Sequence, residues 1–329
     1  MLDRVGVCAV VSASVGEGEE MLDGLLANTP PIGIIPVMAQ QSERLSERLA
    51  RASSVEEQVQ VLLGWLDEHP DHKVLFRLMF LYGRMHRRGT VLFLNYPRVA
   101  DYLLELCAEA IRLRGVCNLA LSGGSTPLTL YRILAGRCIR PTVNWHKVHL
   151  FWGDERYVPH DDPRSNFGQA YAAWLHNAPI PRENIHPMPT HYADPDDAAR
   201  AYEATLRTHF GDAKSYPAFD LVLLGLGDDG HIASLFPGDP ALEVTERWVA
   251  PSRATAEPRQ RLTLTLPVLQ ANPIWFLVAG ESKAQVIEQL FAGTPDPTLP
   301  IAMLGNNSLH FWWLSAELYA RAAPHTKPW

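Results

Sequence analysis

A chain of 329 residues with 47% hydrophobic and 20% charged residues has the makeup of a globular protein with one large domain or two. Its net charge of −7 argues against general nucleic-acid affinity, so any bound anion must be held by a local cluster of bases. Cys8, Cys107, Cys117 and Cys138 lack metal-ligand spacing and read as reduced, packed thiols. Residues 5–15 have no net basic flank, and residues 74–82 fall well short of the ~20 apolar residues of a membrane span. A cytoplasmic protein without membrane association is expected.

Residues 1–35 show weak periodicity broken by Gly and Pro. Ser54 and Glu57 form a capping-box pair. Val55, Val59, Leu62, Leu63 and Leu66 then trace one helical face that stops at His69-Pro70. Residues 74–87 are expected to form another helix. Residues 1–88 thus read as an N-terminal helical extension, either packed on the main domain or offering a surface to a protein partner.

From Gly89 the organisation changes. Strands are predicted at 91–94, 118–121, 148–152, 221–224, 263–266, 274–279 and 309–314. Helices are predicted at 99–114, 128–134, 166–177, 196–210 and 281–291. Short apolar strands alternating with helices predict an α/β fold over 89–329: a mostly parallel sheet covered by helices on both faces, a Rossmann-like three-layer arrangement.

Ligands of such sheets bind beyond the carboxyl ends of the strands, and the polar clusters of this chain follow predicted strands. Gly123, Gly124, Ser125 and Thr126 bring backbone N–H groups, hydroxyls and a helix N-terminus together as an anion site. The loop lacks the Gly-Lys-Ser/Thr of a nucleoside triphosphate site. Asp154, Glu155 and Arg156 directly follow another strand. Arg164 precedes a helix and can grip a phosphate or carboxylate with two parallel hydrogen bonds. Arg261 heads a strand and Lys283 starts a helix, so together these bases can neutralise one phosphate dianion.

The run FDLVLLGLGDDGHIASLFPG, residues 219–238, empties a buried strand into a turn that presents His231, a side chain able to hold or release a proton near neutral pH. Gly225, Gly227 and Gly230 spell a nominal dinucleotide fingerprint. Asp228 and Asp229 would repel a pyrophosphate, however, and Pro237-Gly238 leaves no room for the long helix that motif opens. His160, Asp161, Asp162, Asp228, Asp229 and His231 are imaginable metal ligands, but no His-x-x-x-His or Cys-x-x-Cys spacing supports a metal.

From Val91 onward the chain resembles the 6-phosphogluconolactonases, of the glucosamine-6-phosphate isomerase/deaminase-like superfamily. The matching runs are LALSGGSTP (119–127), FWGDERYVPHDDPRSNF (151–167), FDLVLLGLGDDGHIASLFPG (219–238), RLTLTLPVL (261–269) and the turn at 280–283. The resemblance implies hydrolysis of the δ-lactone of 6-phosphogluconate in the pentose phosphate pathway, without cofactor or metal. By motif position His231 matches the family's base and Asp154 its accompanying carboxylate. Ser125, Arg156, Arg164, Arg261 and Lys283 fall where the family binds phosphate and hydroxyls.

On chemical grounds Asp154 is expected to fix the imidazole's tautomer, and N–H groups of a glycine-rich turn to stabilise an oxyanion. Asp228 and Ser315 depart from the family's usual residues. The rival deaminase pattern follows Gly-His-Ile-Ala with Phe-Asn-Glu-Pro, where this chain has Ser234-Leu235-Phe236-Pro237. A non-catalytic sugar-phosphate sensor is the alternative from another class.

Overall fold

The computed structural model describes residues 84–86, 88–137, 142–211, 216–293, 295–305 and 310–328. The chain enters through β1 (Arg84–His86) and β2 (Gly89–Phe93), then α1 (Tyr96–Arg114), β3 (Cys117–Leu121), α2 (Ser125–Arg137), β4 (Val148–Trp152) and β5 (Asp154–Arg156). It continues through α3 (Asn166–Ala173), α4 (Pro195–Phe210), β6 (Leu221–Leu224), β7 (Val249–Arg253), β8 (Gln260–Leu264) and α5 (Leu266–Gln270). It closes with β9 (Ile274–Val278), α6 (Ala284–Ala292), α7 (Pro300–Met303), β10 (His310–Leu314), α8 (Ala316–Ala322) and β11 (Lys327–Pro328).

Local chemistry sets these limits. Asn95 caps α1 by accepting from the Arg98 N–H at 3.2 Å, and Gly115 ends it with φ of 77°. Asp194 caps α4 through the Asp196 N–H at 2.9 Å, with Pro195 setting the first turn.

The main sheet has eight strands in the order β11-β1-β2-β10-β9-β6-β3-β4. The six from β2 to β4 are parallel, β1 joins them antiparallel, and β11 forms the edge antiparallel to β1. Strands β3, β6, β9 and β10 are buried along their whole length, as double coverage requires. Phe276 and Trp312 are register partners on β9 and β10, and their rings stack 4.0 Å apart at 11°. Such a pair contributes ~0.5–1.5 kcal/mol beyond its area burial. Right-handed crossovers put α1 and α2 on one face, because β2→β3 and β3→β4 step one way along the sheet. The β9→β10 step runs the other way, so α6 lies on the opposite face and packs with α8.

Three expectations need correction. Arg84–His86 is a strand, where helix was expected over 74–87, because its backbone pairs with both β2 and β11. The sheet therefore takes in residues before Gly89. The predicted strand at 263–266 is β8, shifted to Gln260–Leu264 and lying outside the main sheet. It forms a second, antiparallel sheet in the order β5-β8-β7, in which β5 replaces part of an expected loop. The alternating Arg-Leu-Thr-Leu pattern at 261–264 suits a sheet with one polar and one apolar face rather than the apolar runs of the parallel strands. The helix expected at 54–69 lies outside the described residues. No helix among the described residues is long and apolar enough to cross a membrane.

Candidate active site

Strand order locates the crevice. The chain leaves β3 toward β4 but leaves β6 toward β9, and β3 and β6 are neighbours. Their carboxyl ends flank the switch point where open α/β sheets bind ligands. The loops there are Ser122-Gly123-Gly124, running into α2, and residues 225–231, ending at His231.

His231 is half-buried, and its Nδ1 lies 2.6 Å from Asp229 Oδ1. The same oxygen accepts from the His231 backbone N–H at 3.1 Å, so one carboxylate fixes both ring and main chain. The imidazole contact holds the Asp229 carboxyl below its usual range. Gly227 makes room for this pair: a Cβ there would sit 2.0 Å from His231 Nδ1 and 2.5 Å from Asp229 Oδ1. Phe236 backs the imidazole, ring centres 4.6 Å apart. After the loop the chain turns through a single 3-10 turn at Pro240–Glu243 into β7, without the long helix of a dinucleotide fold.

Asp229, not Asp154, therefore orients the histidine. The reason is local: a carboxylate two residues before the imidazole reaches Nδ1 within one turn. Asp154 is buried on β5 and joins the same loop further on, its Oδ2 accepting from Ser234 Oγ at 2.6 Å. Asn166 Nδ2 donates to the Asp154 backbone oxygen at 2.9 Å and to Oδ1 at 3.2 Å. Between His231 and Ser234, Ala233 holds φ of 49°, a left-handed conformation unusual for a residue with a Cβ. Asn166 Oδ1 lies 1.7 Å from where a Gly123 Cβ would be, so only glycine fits at that step of the anion loop. Gly124, Ser125 and Thr126 follow at the N-terminus of α2, at least partly open to solvent.

The arginines gather on the small sheet. Arg156 and Arg261 are register partners across β5 and β8, on the same face as the Asp154–Thr263 pair. Like charges directly opposite one another destabilise a sheet. Arg261 is 7% exposed, and its Nε and one Nη have no hydrogen-bond partner in the structure. Burial first, then the Arg156 charge, lowers its pKa. Arg156 donates to the Arg164 carbonyl at 2.8 Å, which brings the third arginine alongside. Exposed Arg164 makes its two-pronged contact with Asp162, at 2.9 and 2.6 Å. Lys283 does not join this group: it lies against the His231 loop, Nζ 3.9 Å from Asp228 Oδ1.

Among the imagined metal ligands, His160 bonds the Met188 carbonyl at 2.9 Å, and Asp162 and Asp229 are taken by Arg164 and His231.

Four contacts escaped the sequence reading: Asp229 on the His231 ring, and those made by Ser234, Asn166 and Glu155. Glu155 is fully buried and caps α3, accepting the Asn166 and Phe167 N–H groups at 2.6 and 2.8 Å and Ser165 Oγ at 3.1 Å. Burial pushes its carboxyl up to about 7, against the pull of those backbone donors. The Asp-x-His spacing was a usable signal for Asp229. The other three act across 10 to 80 positions of sequence, which no local pattern reveals.

The model of the family described as glucosamine-6-phosphate isomerases/6-phosphogluconolactonase matches residues 96–313. The 6-phosphogluconolactonase of Synechocystis sp. is 50% identical over 191 residues, covering 57% of this chain and 77% of its own. That of Mycobacterium tuberculosis is 38% identical over 225 residues, covering 67% and 90%. Among solved structures, the 6-phosphogluconolactonase from Trypanosoma cruzi matches with a TM-score of 0.63 at 25% identity, covering 72% of this chain and 98% of its own. With the family model spanning most of the described fold, this chain belongs to the glucosamine-6-phosphate isomerase/6-phosphogluconolactonase family.

Proposed function

We propose that this chain hydrolyses 6-phospho-D-glucono-1,5-lactone to 6-phosphogluconate, with His231 as general base. The observation that carries the reading is the Arg156–Arg261 pair on the face that also bears Asp154. Two opposed guanidiniums, one buried with unpartnered donors, gain most from a dianion placed between them. Arg164 completes that cradle on exchanging Asp162 for substrate, and Lys283 serves the substrate from the loop side. The N-terminus of α2, with Gly123, Gly124, Ser125 and Thr126, offers donors for hydroxyls or an oxyanion.

The dyad supplies the proton path. A proton on Nδ1, donated to Asp229, leaves the Nε2 lone pair to deprotonate water as its oxygen attacks C1 of the lactone. When the tetrahedral oxyanion collapses, the C1–O5 bond breaks and O5 takes the proton back from Nε2. Asp229 balances the imidazolium between the two transfers, so no cofactor is called on. Asp154 acts as a positioning residue that holds the His231 loop through Ser234.

The test is turnover by the full chain on the lactone and on glucosamine 6-phosphate, after subtracting spontaneous lactone hydrolysis. Enzymatic opening of the lactone alone supports the reading. Release of ammonia from the aminosugar favours the deaminase, and silence on both favours the sensor. The cytoplasm as compartment, and a protein partner for residues 1–88, remain parts of this proposal.

A further inference from the structure

Three histidines meet at the opposite end of the main sheet from the catalytic loops. His149 is the second residue of β4, His186 follows the 3-10 turn at Arg182–Asn184, and His209 lies in the last turn of α4. Each offers a ring nitrogen such that the three atoms lie within 4.8 Å of one another. His149 Nδ1 and His186 Nε2 are 3.2 Å apart with ring planes 8° from parallel, so one proton is shared along that line. His209 Nε2 lies 2.8 Å from Asn118 Oδ1, and an N–H donated there leaves its lone pair on Nδ1. The Phe151 ring supports the cluster, 4.5 Å from His186 and 5.1 Å from His209. All three histidines are only half-buried, so solvent reaches them.

We propose that His149, His186 and His209 form a binding site for a divalent transition-metal ion of the zinc class, separate from the catalytic centre. Imidazole is the ligand these ions share, and three histidines with an open fourth position for water are a known zinc arrangement. Zinc–nitrogen distances of ~2.0–2.1 Å put neighbouring nitrogens of a tetrahedral site about 3.3 Å apart. The His149–His186 separation already meets that spacing, and the His209 nitrogen, within 4.8 Å of both, has a short distance to close. On binding, the shared proton moves to the outer nitrogen of one ring, and both imidazoles bind neutral. Asn118 fixes the third ring from outside, the usual way a protein orients a metal-bound histidine. The ligands come from β4, the segment after the Arg182–Asn184 turn, and α4. One ion therefore ties the β4 edge of the sheet to the helix covering it.

The experiment titrates the metal-free full chain with ZnCl2 by calorimetry and follows its melting temperature. Expected are one tight site that is lost in His186→Gln and in His209→Gln, and a Tm rise of roughly 5 °C or more at a hundredfold excess over Kd. Co2+ in place of Zn2+ should give the strong visible bands of tetrahedral coordination in the wild type only. Lactone turnover should be equal in wild type and both variants, which also reports that the variants are folded. Absence of a saturable site, or a site and Tm rise retained in both variants, would overturn the proposal.

Discussion

The two sheets divide the work differently. In the eight-stranded sheet the middle strands β6 and β9 are apolar throughout, Leu-Val-Leu-Leu and Ile-Trp-Phe-Leu-Val. Chemistry begins there only where a strand ends, in the loops carrying Gly123 and His231. In the three-stranded sheet the strands themselves carry the charge: Asp154, Arg156, Arg261 and Thr263 share one face, with Leu262 pointing the other way. Buried charge needs partners, and the small sheet meets that need in part: Asp154 is paired with Ser234 and Asn166, whereas Arg261 keeps donors without a partner. In the proposed mechanism, proton transfer thus falls to loops at the ends of the large sheet, and charge recognition to a strand pair of the small one.

The deepest cut at that division is His231→Gln, which removes the base and leaves the platform untouched. Lactone turnover should fall by roughly 10²–10⁴-fold with Tm unchanged, measured by initial rates corrected for spontaneous hydrolysis. Retention of near-wild-type turnover would remove His231 from the mechanism. Gly227→Ala reaches the same group indirectly, because its Cβ would strike the Asp229–His231 pair. It should lower kcat more than it raises KM.

On the other sheet, Arg261→Met should raise KM for the phosphorylated lactone about tenfold to hundredfold, the loss of one charge-assisted contact worth ~1.5–3 kcal/mol. Its KM for unphosphorylated gluconolactone should change far less. The ligand-free protein should not lose stability, since a buried charge opposed to Arg156 disappears. A fall in Tm with equal losses on both lactones would show that Arg261 supports the fold and not the phosphate. Arg164→Lys, which keeps charge but not the fork, should give a smaller KM effect in the same direction.

Smaller effects concern the frame. His310 is buried on β10, and burial, with the Arg88 charge, depresses its pKa to about 3. The unfolded chain binds that proton near pH 6.5, so stability is fully present above 6.5 and drains away as pH falls toward 3. His310→Phe should flatten this acid limb in urea melts run from pH 7 to pH 4 and leave activity at neutral pH unchanged. Deleting residues 1–80 should preserve turnover, because every site residue lies beyond them. Deleting 1–88 also removes β1, which pairs with both β2 and β11, and should lower Tm further. Equal Tm values for the two deletions would show that β1 adds nothing to the sheet.

Read from residues alone, the sequence already contained most of the buried strands, the helices between them, the glycine turn before His231 and the arginines proposed to hold the phosphate. These signals are local: apolar runs, capping residues and loop composition each act within a few positions. Strand order, and with it the switch point between β3 and β6, was decided by tertiary pairing. So was the face-to-face placement of Arg156 and Arg261, 105 positions apart but brought level by the β5–β8 register. The Ser234 hydroxyl on Asp154 and the His149, His186 and His209 cluster are of the same kind. Contacts between distant residues depend on packing one element against another, and a side chain carries no mark of the partner that packing will bring to it.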